Sequence, residues 1–384
     1  MRIRPVRGVC LAAIILTAWW TLRPSALGGA GPARAEAGEG IRMGVHSPSR
    51  ADSDPEEAVR QAVEQLGPGA VVSRTDHFVL VSDCEPTWTN ERGVLLERAM
   101  HQFRRFADKL GVDVAPAGTR LLCVLINDHD RYEKFAREYD GVEASWVAGY
   151  YASLSNRIVF YNDATSPSIT QAQKTLDEYA EMVKNTRRDA SDARRARQLD
   201  VAATLEQRAQ QLDGHVRTER ARIEGIQKSS AKAKAVHEAI HLISFNQGLQ
   251  RRDHQYPFWL TEGMAESFET DHPNQAFGPD HANPQRDKEL QKVMEENRVM
   301  PLEVLVQLNS VPGNDEEAAE VMYAQSASFF RWAFRFERDR LAGLMTDLNR
   351  ERPGPVSPER QLALFTARFG DPLAVQKRWL RSLP

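Results

Sequence analysis

Only three cysteines occur in 384 residues, so neither a disulfide framework nor a cysteine-built metal cluster organises the chain. Net charge is almost absent as well. Fifty Lys and Arg stand against 53 Asp and Glu, a formal −3 at pH 7, which gives no reason to expect nucleic acid or an acidic membrane as partner. Apolar residues are scarce for a globular chain, at 41% against 27% charged and a mean hydropathy of −0.51, so a solvated segment must lie somewhere. Past the N-terminus no stretch is apolar enough to cross a bilayer. Proline is missing from residues 168–230, which leaves a long helix free to form there.

The N-terminus reads as an export signal. Arg2, Arg4 and Arg7 make a basic start, residues 8–22 are an apolar run ended by Arg23, and Ala33-Arg34-Ala35 has the A-x-A form of a cleavage site. The run is shorter than the ~20 apolar residues of a spanning helix. The expectation is therefore an exported protein, periplasmic, cell-surface or secreted, matured after Ala35. An uncleaved anchor is the alternative, and the one case that involves a membrane. Cys10 leaves with the signal. For Cys84 and Cys123 two readings stand: a disulfide in an oxidising compartment, or two small buried apolar residues.

The length suits two domains, or one with a sizeable insertion. Residues 1–35 are the signal and residues 36–72, rich in Gly, Ala, Ser, Asp and Glu with one short helical pattern near 55–66, read as a linker. Residues 73–163 alternate strand and helix patterns. Strands are predicted over 77–82, 121–126, 146–151 and 157–161, with helices over 90–110 and 130–139 between them. Leu95, Leu96, Met100, Phe103 and Phe106 mark the buried stripe of the longer helix. Residues 164–230 are dense in charge, with a thin apolar stripe through Leu176, Tyr179, Met182, Leu199, Ala202, Leu205, Leu212, Val216 and Ile223. The polar break Asp189-Ala190-Ser191-Asp192 predicts an antiparallel helical hairpin there. It reads as a solvated insertion, with a docking arm for a protein partner, or a lid, as the functional alternative. Residues 231–384 read as mainly helical, with helices expected from Lys288 onward, at 302–308, 316–336, 338–349, 358–369 and 373–383. The sum is an α+β chain.

One stretch carries chemistry. In Val236-His237-Glu238-Ala239-Ile240-His241, a helix beginning at Ser229 or Ser230 and stopped by Gly248 sets His237 and His241 one turn apart on one face. Both imidazoles then reach a single Zn²⁺ ion at ~2.0–2.1 Å. Glu238 projects toward the open side of the metal, where it takes a proton from a bound water. A third ligand is offered by Glu262, in a second helical pattern over Trp259-Leu260-Thr261-Glu262-Gly263-Met264-Ala265-Glu266. Glu266, one turn beyond Glu262, is placed to accept the second ring N–H of a ligating histidine, with Glu269 as its rival.

His237-Glu238-Ala239-Ile240-His241, a spacer of twenty residues, and Glu262 inside Trp-Leu-Thr-Glu-Gly-Met-Ala-Glu resemble the gluzincins. That group includes the thermolysin-like and leukotriene-hydrolase-like aminopeptidase families, and within it the chain is most similar to the peptidase-MA-like group of uncharacterised exported bacterial proteins. The resemblance runs from about Phe78 to the C-terminus, leaving out the insertion. It implies a zincin-like fold of two lobes, a mixed-sheet lobe and a mainly helical one. Zinc in the cleft would be held by His237, His241 and Glu262, with Glu238 as general base and a peptide or protein as substrate. Tyr323 resembles the oxyanion-donating tyrosine on a later helix of such enzymes; alternatively it only caps an apolar helix, and His254, His272 and His281 are the other candidate donors. A substrate peptide would pair with an edge strand, residues 149–152 or 158–161. Gly-x-Met-Glu-Asn, the aminopeptidase signature, is absent, which favours an endopeptidase. No histidine follows Gly248 at the metzincin position, where Leu249, Gln250 and Arg251 stand. Two rival functions are a catalytically silent zincin-fold binding protein working through its helical insertion, and a zinc hydrolase of a non-peptide bond.

Overall fold

Asp54 caps the first helix, its side chain accepting from the Glu56 N–H at 3.1 Å, and Pro55 occupies the first helical position. The structure, a computed structural model, describes residues 54–115, 118–143 and 148–383, with backbone alone for residues 226–231 and 314. The expected signal, its cleavage site at Ala35, and Trp146 and Val147 of an expected strand lie outside the described residues.

Helix α1 (Pro55–Leu66) buries Val59, Ala62 and Leu66 and stops at Gly67, whose φ of 80° suits glycine. It is followed by β1 (Val71–Arg74) and β2 (Phe78–Ser82), which pair antiparallel. Residues 55–72 are thus part of the lobe, which corrects the expectation of a linker through residue 72. They hold no long apolar run, because the helix is buried along one stripe only and β1 is an edge strand. Helix α2 (Pro86–Leu110) leads to β3 (Leu121–Ile126), and α3 (His129–Phe135), closed by a π-helical turn over Ala136–Asp140, leads to β4 (Gly149–Ala152) and β5 (Arg157–Tyr161).

The sheet order is β1-β2-β3-β5-β4, with the central β2, β3 and β5 parallel and both edges antiparallel. The central three are buried along their whole length because each face carries helices. Val79, Val81, Leu122, Val124 and Val159 face α1 and α3; Phe78, Leu80, Leu121, Cys123, Ile158 and Phe160 face the other way, into the main core with α2. Of the two strands considered for pairing with a substrate, β5 lies between β3 and β4, so among the described residues only β4 keeps an open edge. Gly149 opposes Phe160 there, and a Cβ on it would stand 2.2 Å from the Phe160 ring.

Helix α4 (Pro167–Arg195) and the 48-residue α5 (Leu199–Asn246) form the expected hairpin, packed along each other. Its turn is at residues 196–198, where Arg197 has φ 60°, and not at Asp189 to Asp192. The reason is the repeat: Ile169, Leu176, Val183 and Ala190 recur every seven residues on α4, as do Ala202, Ala209 and Val216 on α5, and all are buried. This is coiled-coil spacing, and Asp189 and Asp192 fall on its exposed outer face. Met182 and Leu199, expected on the buried stripe, are exposed. Helix α5 then continues without a break through the histidine motif, so no cap at Ser229 or Ser230 starts a separate helix, and the expected boundary at residue 230 falls inside it. Its end matches expectation, with Gly248 at φ 79°.

The remaining chain holds β6 (His254–Gln255), α6 (Phe258–Phe268), α7 (Pro284–Glu295), α8 (Leu302–Leu305), α9 (Glu316–Phe336), α10 (Arg338–Arg350), β7 (Gly354–Pro355), α11 (Pro358–Phe369) and α12 (Pro372–Arg381). The fold is α+β, a small mixed sheet with most of the chain helical. No helix among the described residues is long and apolar enough to cross a membrane. Ala235, Val236, Ala239, Ile240, Leu242 and Ile243 of α5 belong to the same core as α2, α6 and α9, so the histidine motif is clamped between the sheet and the helical part.

Cys84 and Cys123 are both free. Burial pushes the Cys84 thiol up to about 12 and raises that of Cys123 as well. At pH 8 the thiolate of Cys84 is then roughly one part in ten thousand. Iodoacetamide mapping by mass spectrometry should find both unmodified in the folded protein and both labelled after unfolding; labelling of Cys84 in the native state would contradict this burial.

Candidate metal centre

Two ligand-bearing helices must be brought to a fixed spacing before their side chains can share an ion. Ser244 on α5 donates its hydroxyl to Gln250 Oε1 at 2.9 Å, and Gln250 Nε2 donates to Thr261 Oγ1 on α6 at 3.0 Å. All three are buried, so this relay is worth more than its surface equivalent and ties the helices through their connecting loop. On its far side α6 lies against α9. A Cβ on Gly263 would stand 2.4 Å from the Ser326 carbonyl oxygen and 3.1 Å from Phe330 Cβ. Glycine after Glu262 is what lets the two backbones approach.

With that spacing set, His237 Nε2, His241 Nε2 and a Glu262 carboxylate oxygen lie within 4.8 Å of one another. The two Nε2 atoms are 3.1 Å apart, His237 Nε2 is 3.1 Å from Glu262 Oε2, and His241 Nε2 is 3.5 Å from Glu262 Oε1. Three donors bonded tetrahedrally at ~2.0–2.1 Å stand roughly 3.3 Å apart, and these separations bracket that value. The donor chemistry fits a divalent cation too. Two imidazoles and one carboxylate form a set that suits zinc.

The ring orientation of His237 is fixed from behind. Glu269 Oε1 lies 3.0 Å from its Nδ1, while Glu266 Oε1 is 3.9 Å away. Burial works against ionising Glu269, but Arg286 and Lys234 together with the hydrogen bond to His237 hold its carboxyl well below the usual range. An ionised carboxylate only accepts, so Nδ1 donates to Glu269 and Nε2 is the ring nitrogen turned toward His241 and Glu262, where it would offer its lone pair to a bound cation. Glu269 therefore takes the position for which Glu266 is the better-placed residue on a helical wheel. Glu266 pairs instead with Arg286 Nε, and burial pushes its carboxyl up to about 7 against that cation. The cause is the helix end: α6 stops at Phe268, and Glu269 has left helical geometry at φ −56°, ψ 136°, which swings its side chain back to His237. His241 Nδ1 is buried with no hydrogen-bond partner among the described residues, so packing orients that ring; it meets His237 edge to face, 4.9 Å between centroids.

The carboxylate of Glu262 is opposed by burial yet held well below its ordinary range by the two imidazoles. Burial raises the Glu238 carboxyl, while His237 and His241 pull it down. Tyr323, on α9, packs edge to face on Phe258 at 5.0 Å. Burial first, then the carboxylates of Glu262, Glu266 and Glu238, hold its phenol well above the usual range, so it stays protonated. The three loop histidines are elsewhere. His254 is engaged on both sides, by Asp253 at 2.7 Å and the Glu351 carbonyl at 2.9 Å, where β6 meets β7. His272 is exposed, and His281 lies beside Asp280 on the same loop.

Two cations of the centre escape sequence reasoning. Lys234 Nζ is 3.6 Å from Glu269, and Arg286 is buried among Glu266, Glu269 and Glu289. Lys234 precedes His237 by three residues on the same helix, a spacing that was there to be read. For Arg286 the signal is Asn283-Pro284, a cap and first-position proline that start α7 four residues before the expected Lys288.

Residues 231–354 match a family described as a protein of unknown function (DUF1570). The matched stretch contains the histidine motif, Glu262, Glu269, Arg286 and Tyr323, and its description assigns no activity. No curated protein and no solved structure matches the chain.

Replacing Gly263 by Ala forces α6 and α9 apart. Gly263→Ala should lower stability by about 1–3 kcal/mol, the range for overpacking a tight interface. Urea unfolding measures this, and an unchanged midpoint would show that the approach of the helices is not limiting.

Proposed function

We propose that this protein is a zinc-dependent peptidase of the gluzincin type, exported from the cytoplasm, that hydrolyses peptide bonds. The observation that carries the reading is the convergence of His237 Nε2, His241 Nε2 and Glu262 within 4.8 Å, with Glu238 next to His237 on the same helix. Zinc bound by these three residues would supply a Lewis acid that polarises a carbonyl and brings the pKa of a water near neutrality. Glu238 then has one task in two steps: it accepts the proton of the attacking water and passes it to the leaving amine nitrogen. Burial suits it to this, because a raised carboxyl is a better base than an exposed one and is readily protonated in turn. Tyr323, kept protonated, donates a hydrogen bond to the oxygen on which negative charge develops.

The open edge of β4 supports a peptide as substrate. An extended chain can add to it as a further antiparallel or parallel strand, taking its hydrogen bonds from the backbone of residues 149–152. The residues present contain no aminopeptidase signature, so internal bonds are the favoured target.

The test is cleavage of a mixed peptide library by the zinc-loaded protein, read by mass spectrometry beside Glu238→Gln. Cleavage lost by at least about a hundredfold in that variant, the usual scale for a general base, is expected. No cleavage by a zinc-loaded wild type would overturn the reading, in favour of a binding module acting through the α4–α5 hairpin. Tyr323→Phe should lower kcat by roughly tenfold or more while zinc content is unchanged. Unchanged turnover would remove Tyr323 from the chemistry.

A further inference from the structure

Arg286 reaches three carboxylates with one guanidinium. Nε pairs with Glu266, Nη2 with Glu269 and Nη1 with Glu289 at 2.6 Å. The first two pairs are withdrawn from solvent, with side-chain exposures of 9% for Arg286, 2% for Glu266 and 8% for Glu269. A planar fork with fixed donor directions fixes its acceptors relative to one another, which an ammonium cannot do.

The competition around Glu269 gives this fork a purpose. Its Oε1 faces two donors: His237 Nδ1 at 3.0 Å and the half-exposed Lys234 Nζ at 3.6 Å. Its Oε2 is held by Arg286. Because Glu269 sits past the end of α6, no helical backbone restrains it. With Oε2 anchored, Oε1 stays on the ring nitrogen; without the anchor, the carboxylate is free to rotate toward the lysine and away from the repelling Glu266.

We infer that Arg286 is a positioning residue for the metal centre, holding Glu269 so that His237 presents Nε2 to the ion. This rests on the metal reading above and adds to it a residue of α7 that makes no contact with the three ligands' donor atoms.

The experiment measures zinc affinity directly, by competition with a chromophoric chelator, and the d–d spectrum of the cobalt-substituted protein. Arg286→Lys should bind zinc about 10–100-fold more weakly, the range for losing a partner of a ligating histidine, with a changed cobalt spectrum. Glu269→Gln should show a similar loss, and adding Arg286→Lys to it should cost no more, because both act through one contact. Arg331→Lys is the control. Arg331 is buried, pairs with Asp287 on the same helix α7 at 2.6 Å, and does not touch the centre; its variant should bind zinc as the wild type does. Should Arg286→Lys not fold, Glu289→Gln serves, because Glu289 meets the centre only through Arg286; several-fold weaker binding is expected. Wild-type affinity in Arg286→Lys or Glu289→Gln, or additive losses in the double variant, would overturn the inference. Failure of the wild type to bind zinc, or equal binding by His237→Ala, would instead overturn the metal reading and this inference with it.

Discussion

Six ionisable side chains, His237, His241, Glu262, Glu266, Glu269 and Arg286, are withdrawn from water within reach of one another. Burying such groups singly costs several kcal/mol each, so they persist only as a mutually compensating set. This constraint governs the surrounding structure. The Ser244–Gln250–Thr261 relay and the glycine contact at Gly263 fix where the two ligand helices stand, and without that spacing the imidazoles and the Glu262 carboxylate would lose their common focus. The apolar core around them, drawn from the sheet, α2, α6 and α9, keeps out the water that would screen the charges.

Helix α5 answers to two different partners along its 48 residues. Its first half repeats every seven residues against α4, with alanine at two of the three buried heptad positions, so the hairpin is close-packed and narrow. Its second half is buried nearly all round between the sheet and the helical part. The histidines lie on this second half, where neighbours on several sides set the helix's rotation. That explains why a solvated hairpin can be attached without a hinge: the orientation of the imidazoles is decided by the core and not by the arm.

How much of this was legible in the sequence depended on whether a feature was local. The strands at 78–82, 121–126 and 157–161, the stripe from Leu95 to Phe106, and the helices at 316–336 and 358–369 follow from periodicity within one segment, and the structure agrees with them closely. The one-turn spacing of His237 and His241 was readable from the helix alone, whereas Glu262 was placed beside them by the resemblance of its surroundings to the gluzincin pattern. Residues 55–74 were not readable as part of the lobe, because a short helix with one buried stripe and an edge strand carry little apolar signal. The hairpin turn was misplaced for a related reason. Aspartates suggest a break when counted by composition, but on the outer face of a coiled coil they are compatible with an uninterrupted helix.

The exchange of roles between Glu266 and Glu269 shows where such reading stops. Helical spacing favours Glu266, four residues after Glu262 and on its face, and that preference holds only while the helix continues. It ends two residues later, at Phe268, and the backbone at Glu269 turns its carboxylate to His237. What then decides between the two acids is the position of a third segment. Arg286 enters from α7, takes one oxygen of each, and leaves the other Glu269 oxygen to the imidazole. A buried carboxylate beside a histidine thus acquires its function from the cation behind it, and that cation's place in the fold is set by tertiary packing that no local pattern records.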